Sequence, residues 1–299
     1  MIKVTDKGIW MNPTLKMNLD SILHNTRKDW SFLIIISGSK KTRIGKSVLA
    51  QQIGYYLAHS LGRKFTVDNI CLDGKSLIDI SQKLSPGVFV LDESRSDLSS
   101  GKHLVKSTQI LIDFFNESGK LNNIVILVIP DFFDLMKPVA VGLSHCLINV
   151  FISKKRALDK NGQEVVEFKR GYYSFYSDDK KNDLYINHRQ KRDYNAVKWN
   201  FWGDFQNKWV IDVEEYDRRK HEYIFRQRER EWIAPRHKKW IQQRDFLIQY
   251  INKENGLAIK DIEKMFEENG FKEDTKCDLA TRIFKKNFME LKRNATKIS

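Results

Sequence analysis

The sequence predicts an α/β fold: a parallel sheet flanked by helices, followed by a small C-terminal helical domain of helix-turn-helix type. Three observations predict it. Up to about Ser153, unbroken apolar runs of strand length alternate with longer stretches of helical spacing. From about Lys154 the texture turns polar and aromatic, without a sustained period. The last sixty or so residues carry apolar stripes at helical spacing, broken by Asn255-Gly256 and Asn269-Gly270.

In chain order, Phe32–Ile36, Ile70–Leu72, Val88–Leu91, Ile124–Ile129 and Leu147–Ile152 read as strands, apolar at every position because both faces are covered. Between them, Ser47–Leu61, Ser76–Leu84 and about His103–Asn116 read as helices. The third places Leu104, Ile112 and Phe115 on one stripe. Asp159-Lys160-Asn161-Gly162 is a turn signal, and Val165–Phe168 with Tyr172–Tyr176 are expected to pair as an antiparallel extension. Asp178–Trp209 receives no element. Glu214–Trp232 reads as a charged helix that ends before Pro235. Lys238–Lys292 reads as three helices, the third basic. The resulting division is an N-terminal segment (1–30), a core (31–210), a basic helical linker (211–236) and the helix-turn-helix-like domain (237–299).

Composition narrows the function classes. The 299 residues carry a formal net charge of +14, which points to a polyanionic partner, nucleic acid before membrane. Cys71, Cys146 and Cys277 lie far apart without metal-ligand spacing, as do His103, His145, His188, His221 and His237. Buried thiols in a reducing cytosol are the expectation. The start of the chain lacks the apolar region of a signal peptide, and the apolar runs are too short to cross a bilayer. A cytoplasmic protein without an intrinsic membrane segment follows.

The chemistry is concentrated in two stretches. Ser37–Ser47 reads SGSKKTRIGKS and closes on Gly45-Lys46-Ser47, the end of G-x-x-x-x-G-K-[ST]. It stands between an apolar strand and an apolar-faced helix, as a phosphate loop must, because amides at the helix start cradle phosphate oxygens. The expected nucleotide contacts are Gly38, Lys40, Arg43, Ile44, Gly45, Lys46, Ser47 and Val48, with Lys46 on the β- and γ-phosphates and Ser47 on Mg²⁺. Lys40 stands where the pattern has its first glycine, so Gly38 is expected to take over the turn. Val88–Leu91 then runs into Asp92-Glu93, a Walker B-type strand end. Asp92 would hold Mg²⁺ through water and Glu93 would polarise the attacking water. After Ile124–Ile129 a polar sensor is expected, but Pro130 occupies that place; Asp131 is either its substitute or a helix cap.

These motifs, with the IVILVIPDFFDL segment, resemble P-loop ATPases carried by viruses, phages and mobile elements. That group is similar to the HerA/FtsK DNA-pumping ATPases and the zonular-occludens-toxin-type phage assembly ATPases. The resemblance spans about residues 9–225 and implies an additional-strand (ASCE) core, ATP with Mg²⁺ as cofactors, hydrolysis and work on DNA. It further implies a homo-oligomer, a ring among the options, with an arginine supplied in trans (Arg95, Arg156 or Arg170) and a viral capsid or portal-type partner in the host-cell cytoplasm. Lys40 and Pro130 depart from the pattern and point to slow turnover.

Basic residues crowd the tail. Arg228, Lys238 and Lys239 in the linker, and Arg282, Lys285 and Lys286 on the last helix, are the types that contact DNA phosphates and bases. The reading is a Mg-dependent ATPase acting on DNA, with viral genome packaging or translocation as the favoured task. Its rivals are an ATP-gated DNA-binding switch in replication, partition or transposition, and a virion-assembly ATPase acting on coat protein.

Overall fold

The computed structural model describes residues 1–38, 43–92, 106–158 and 163–232, together with Gly256. Lys40, Glu93, Arg95, the turn at 159–162 and the three C-terminal helices lie outside the described residues. The chain divides into two compact units, Met1–His221 and Glu222–Ser299, and nearly all the described residues belong to the first.

That unit opens with a small antiparallel pair, β1 (Ile2–Lys3) and β2 (Trp10–Met11), and then α1 (Pro13–Thr26). Asn12 caps α1, its side chain accepting from the Thr14 amide at 2.9 Å, and Pro13 fills the first helical position, where its missing N–H costs nothing. There follow β3 (Phe32–Gly38), α2 (Lys46–Ser60), β4 (Ile70–Cys71), α3 (Gly74–Leu84), β5 (Val88–Asp92), α4 (Lys106–Glu117) and β6 (Ile124–Val128). The chain continues through β7 (Cys146–Leu158), β8 (Glu164–Tyr176), α5 (Asp178–His188), β9 (Phe201–Asp204) and α6 (Val213–Trp232).

The main sheet has seven strands in the order β4-β5-β6-β3-β7-β8-β9. The run from β4 to β7 is parallel, and β8 and β9 add antiparallel pairs at the far edge. Alternation within the strands divides the core into two layers. Ile34, Ile36, Val88, Val90, Ile124 and Ile126 join α1 and α2 on one face, whereas Leu33, Ile35, Phe89, Leu91, Val125 and Leu127 join α4 and α5 on the other. Burying each such side chain contributes about 1.5–3 kcal/mol, so every core strand anchors two layers at once.

Two expectations change. Val165–Phe168 and Tyr172–Tyr176 do not pair with each other: they belong to one strand, β8, whose partner along its whole length is β7. Gly171 sits in a bulge where Ile152 alone opposes Arg170 and Gly171. Its φ of +93° and the Phe205 carbonyl oxygen, 2.7 Å from where a Cβ would stand, require glycine. Within Asp178–Trp209, α5 and β9 form despite the absence of a periodic signal. Lys181 occupies a core-facing turn of α5; its ammonium is satisfied by the Ala140 carbonyl at 2.7 Å, by Asn182 and by Asp178 at 3.1 Å. Desolvation lowers its pKa, and the Asp178 carboxylate opposes that shift.

Cys71 and Cys146 are buried and free, and burial pushes both thiols up to about 12, as the sequence led us to expect of inert structural cysteines. Cys277 lies outside the described residues.

Candidate phosphate and metal site

The site is built where three parallel strands end together. β6 pairs with β3 on one side and with β5 on the other, so Val128 stands opposite both Ile36 and Asp92. This register brings Asp92 alongside β3, the strand that runs towards Gly45-Lys46-Ser47.

Gly38 closes β3 where an added Cβ would run into the Ile44 side chain and come within 3.0 Å of the Val150 carbonyl oxygen. Glycine is therefore favoured there by the close approach of Ile44 and Val150; Gly38 itself is the last residue of β3, and the turn that follows lies outside the described residues. Arg43 is exposed and adopts a left-handed φ of +56°, unusual for a side chain of its size. Ile44 is buried, and Gly45 follows at φ +101°. α2 begins at Lys46 with no side-chain cap and no acidic residue in its first turn. Its opening amides, on Lys46, Ser47 and Val48, thus form the positive end of a helix dipole. We expect Gly45→Ala to weaken nucleotide binding and to cost about 1–3 kcal/mol of stability, since alanine is strained at this φ. An added Cβ would also lie 2.9 Å from the Phe205 ring. Melting temperature and nucleotide affinity check this, with Gly62→Ala as the control: Gly62 shares the positive φ, but nothing lies within 4 Å of its Cβ position.

Ser47 and Asp92, 45 residues apart in sequence, meet: the Ser47 hydroxyl donates to Asp92 Oδ2 at 3.0 Å. Asp92 is 2% exposed. Two residues that the sequence reading did not single out share the same oxygen. The Tyr216 hydroxyl donates to Oδ2, and Lys220 Nζ lies 3.1 Å from it and 3.1 Å from the Tyr216 oxygen. Both stand on α6, four residues apart and hence on one helical stripe. Tyr216 is buried against Trp209, ring centroids 5.3 Å apart. Burial first, then the Asp92 charge, raises its phenol pKa and keeps it a neutral donor. α6 is tied down further by Arg219, which bonds Asp68 at 2.8 Å and Glu215 at 2.6 Å.

Asp131 forms the cap of its two alternatives. It accepts from the Phe133 amide, pairs with Arg192 at 2.9 Å and lies 2.9 Å from the Tyr194 hydroxyl. Tyr194 in turn reaches Ser37, the residue before Gly38, at 3.3 Å. Arg156 and Arg170 are exposed on the part of the β7–β8 ribbon that runs on past Val150, the partner of Gly38. Arg228 lies on α6, while Lys238, Lys239, Arg282, Lys285 and Lys286 lie outside the described residues.

Ser47 and Asp92 are hard oxygen donors of the kind magnesium takes together with phosphate oxygens and water. Among the described residues there is no cluster of three or more His, Cys, Asp or Glu that would make a separate metal centre.

One strand, β6, stands between β3 and β5. This is the strand order that an additional-strand core implies. No protein-family model and no curated protein matches the chain. Among solved structures, the chain is similar to the genome packaging NTPase B204 of Sulfolobus turreted icosahedral virus 2 bound to AMPPCP, at 11% identity and TM-score 0.34, over 50% of this chain and 94% of that one. The DNA-packaging ATPase B204 of Sulfolobus turreted icosahedral virus aligns at 14% identity and TM-score 0.33, over 51% and 94%. The N-terminal domain of zonular occludens toxin from Neisseria meningitidis aligns at 11% identity and TM-score 0.35, over 63% and 98%. Among the described residues no helix is long and apolar enough to cross a membrane.

Proposed function

We propose that the chain is a Mg-dependent ATPase acting on DNA, with viral genome packaging or translocation as its task. The observation that carries the enzymatic part is the meeting of Ser47 with the buried Asp92 beside an uncapped helix start. Lys46 and the amides of the first turn of α2 bind and orient the β- and γ-phosphates. Ser47 and Asp92 would hold Mg²⁺, which when bound neutralises charge on the phosphates. Glu93, next in sequence to Asp92, orients a water and takes its proton as the oxygen attacks the γ-phosphorus. The bond from that phosphorus to the β-phosphate oxygen breaks, and ADP leaves with the electron pair.

The DNA part is supported by charge: the net +14 and the exposed Lys154, Lys155, Arg156, Lys169 and Arg170 of the β7–β8 ribbon. The packaging task is supported by the motif resemblance, with assembly into a homo-oligomer in which Arg156 or Arg170 serves a neighbour's site. A second reading, an ATP-gated DNA-binding switch, is favoured by one observation: α6 already engages Asp92.

Duplex DNA is expected to stimulate ATP hydrolysis and to bind with a steep salt slope. With six to ten phosphates contacted, affinity falls roughly 10³–10⁵-fold between 50 and 200 mM salt. Hydrolysis indifferent to DNA, together with salt-insensitive binding, would contradict the DNA assignment. A triplex-displacement assay along the duplex separates motor from switch.

A further inference from the structure

We propose that Lys220 is a tethered cation that competes with Mg²⁺ for the Asp92 carboxylate, so that seating of α6 and metal–nucleotide binding oppose each other. The inference rests on the nucleotide-site reading given above and adds to it a residue outside the two motifs.

Three donors converge on a single oxygen, Asp92 Oδ2: the hydroxyls of Ser47 and Tyr216 and the ammonium of Lys220. An oxygen with so many partners has no lone pair to spare for a metal ion or for its coordinated water. Coordination of magnesium, or of its water, through Oδ2 requires one of these donors to yield. Ser47 belongs to the metal-binding set itself, and Tyr216 is neutral and held in the core against Trp209. Lys220 carries a positive charge, which a divalent ion repels at short range. Its side chain is 21% exposed, whereas that of Asp92 is 2% exposed, so the ammonium has a route to water that the carboxylate lacks. A four-carbon stem allows that swing without moving the sheet.

The consequence reaches along α6. Tyr216 and Lys220 are the stripe by which α6 grips the carboxyl end of β5, and the helix continues to Trp232. Displacing Lys220 removes one of the two grips. Magnesium bound with ATP would thus loosen the helix that leads out of the P-loop core, and hydrolysis with loss of the ion would let it reseat.

The test titrates Mg²⁺ against full-length protein holding a fluorescent ATP analogue, in wild type, Lys220→Met and Lys220→Arg. Lys220→Met is expected to lower the half-saturating Mg²⁺ concentration about tenfold, because it removes a like charge from the metal's side, while Lys220→Arg stays near wild type. Hydrogen exchange over the first turns of α6 supplies a second reading: in wild type, protection should fall when Mg²⁺ and the analogue are added together. An unchanged or raised Mg²⁺ requirement in Lys220→Met overturns the proposal. If Lys220→Met does not fold, wild-type exchange decides, and α6 protection indifferent to Mg²⁺ and analogue overturns it equally. Failure of the analogue to bind in any variant, with or without Mg²⁺, removes the nucleotide reading, and the competition goes with it. Analogue binding with a Lys220-independent Mg²⁺ response removes the competition alone.

Discussion

Lys46→Ala is expected to reduce ATP hydrolysis by roughly 10²–10³ in kcat, the loss that follows removal of one preorganised charge donor from a phosphate-transfer site. The substitution leaves the fold in place. Lys46 is the first residue of α2, where alanine is a good helix former, and the buried residues of α2 begin at Val48. The opening amides of α2 stay as they are, so residual nucleotide binding through the backbone is expected while the ammonium contribution disappears. Glu93→Gln provides the complementary result: nucleotide still binds, but hydrolysis falls by about 10²–10⁴, since the general base alone is removed. Undiminished hydrolysis in both variants would contradict the assignment of the site.

Asp92→Asn is expected to have a double effect, on chemistry and on stability. The metal-dependent rate falls with the carboxylate charge. Stability falls as well, because Lys220 Nζ, 3.1 Å away, is left facing a neutral amide. Removing one partner of a largely buried ion pair costs more than the pair contributes, since the remaining charge stays desolvated. Lys220 retains some exposure, so a loss of about 1–3 kcal/mol is appropriate rather than the full buried-pair penalty. For a unit of this size that is roughly 2–4 °C in melting temperature per kcal/mol. The double variant Asp92→Asn/Lys220→Met should lose less than the sum of the two single variants, because the second substitution removes the stranded charge. Additive losses would show that Lys220 is not coupled to Asp92. Ser47 and Tyr216 keep an acceptor in asparagine, so the coupling reports on Lys220.

What could be read from the sequence follows the physics of each element. The parallel strands were legible because a strand covered on both faces is apolar at every position, as Leu33–Ile36 and Val88–Leu91 are. Their order was not, since nothing in the spacing of β6 says that it lies between β3 and β5; the resemblance alone implied an additional strand. α1 went unassigned although Asn12-Pro13 is a cap followed by a first-turn proline. α5 was hidden because its buried position is taken by Lys181, whose ammonium finds partners only in the folded chain. The meeting of Ser47 with Asp92 was legible because the motifs that place one at a helix start and the other at a strand end imply a shared site. Tyr216 and Lys220 were not. They sit in a run so rich in Arg, Lys and Glu that it reads as a solvated helix. The usable signal was an aromatic and a cation four apart, with Trp209 just upstream. Charge compensation across 128 residues leaves no local periodicity.

The central claim is that Lys46, Ser47 and Asp92 form one Mg·ATP site at the carboxyl ends of β3 and β5. A crystal structure with Mg²⁺ and a non-hydrolysable ATP analogue tests it most directly. The account predicts phosphates against Lys46 and the first amides of α2, the metal on the Ser47 and Asp92 side, and Lys220 withdrawn from Asp92. An analogue bound elsewhere, or a loop that leaves the phosphates uncontacted while Lys220 stays on Asp92, would contradict it.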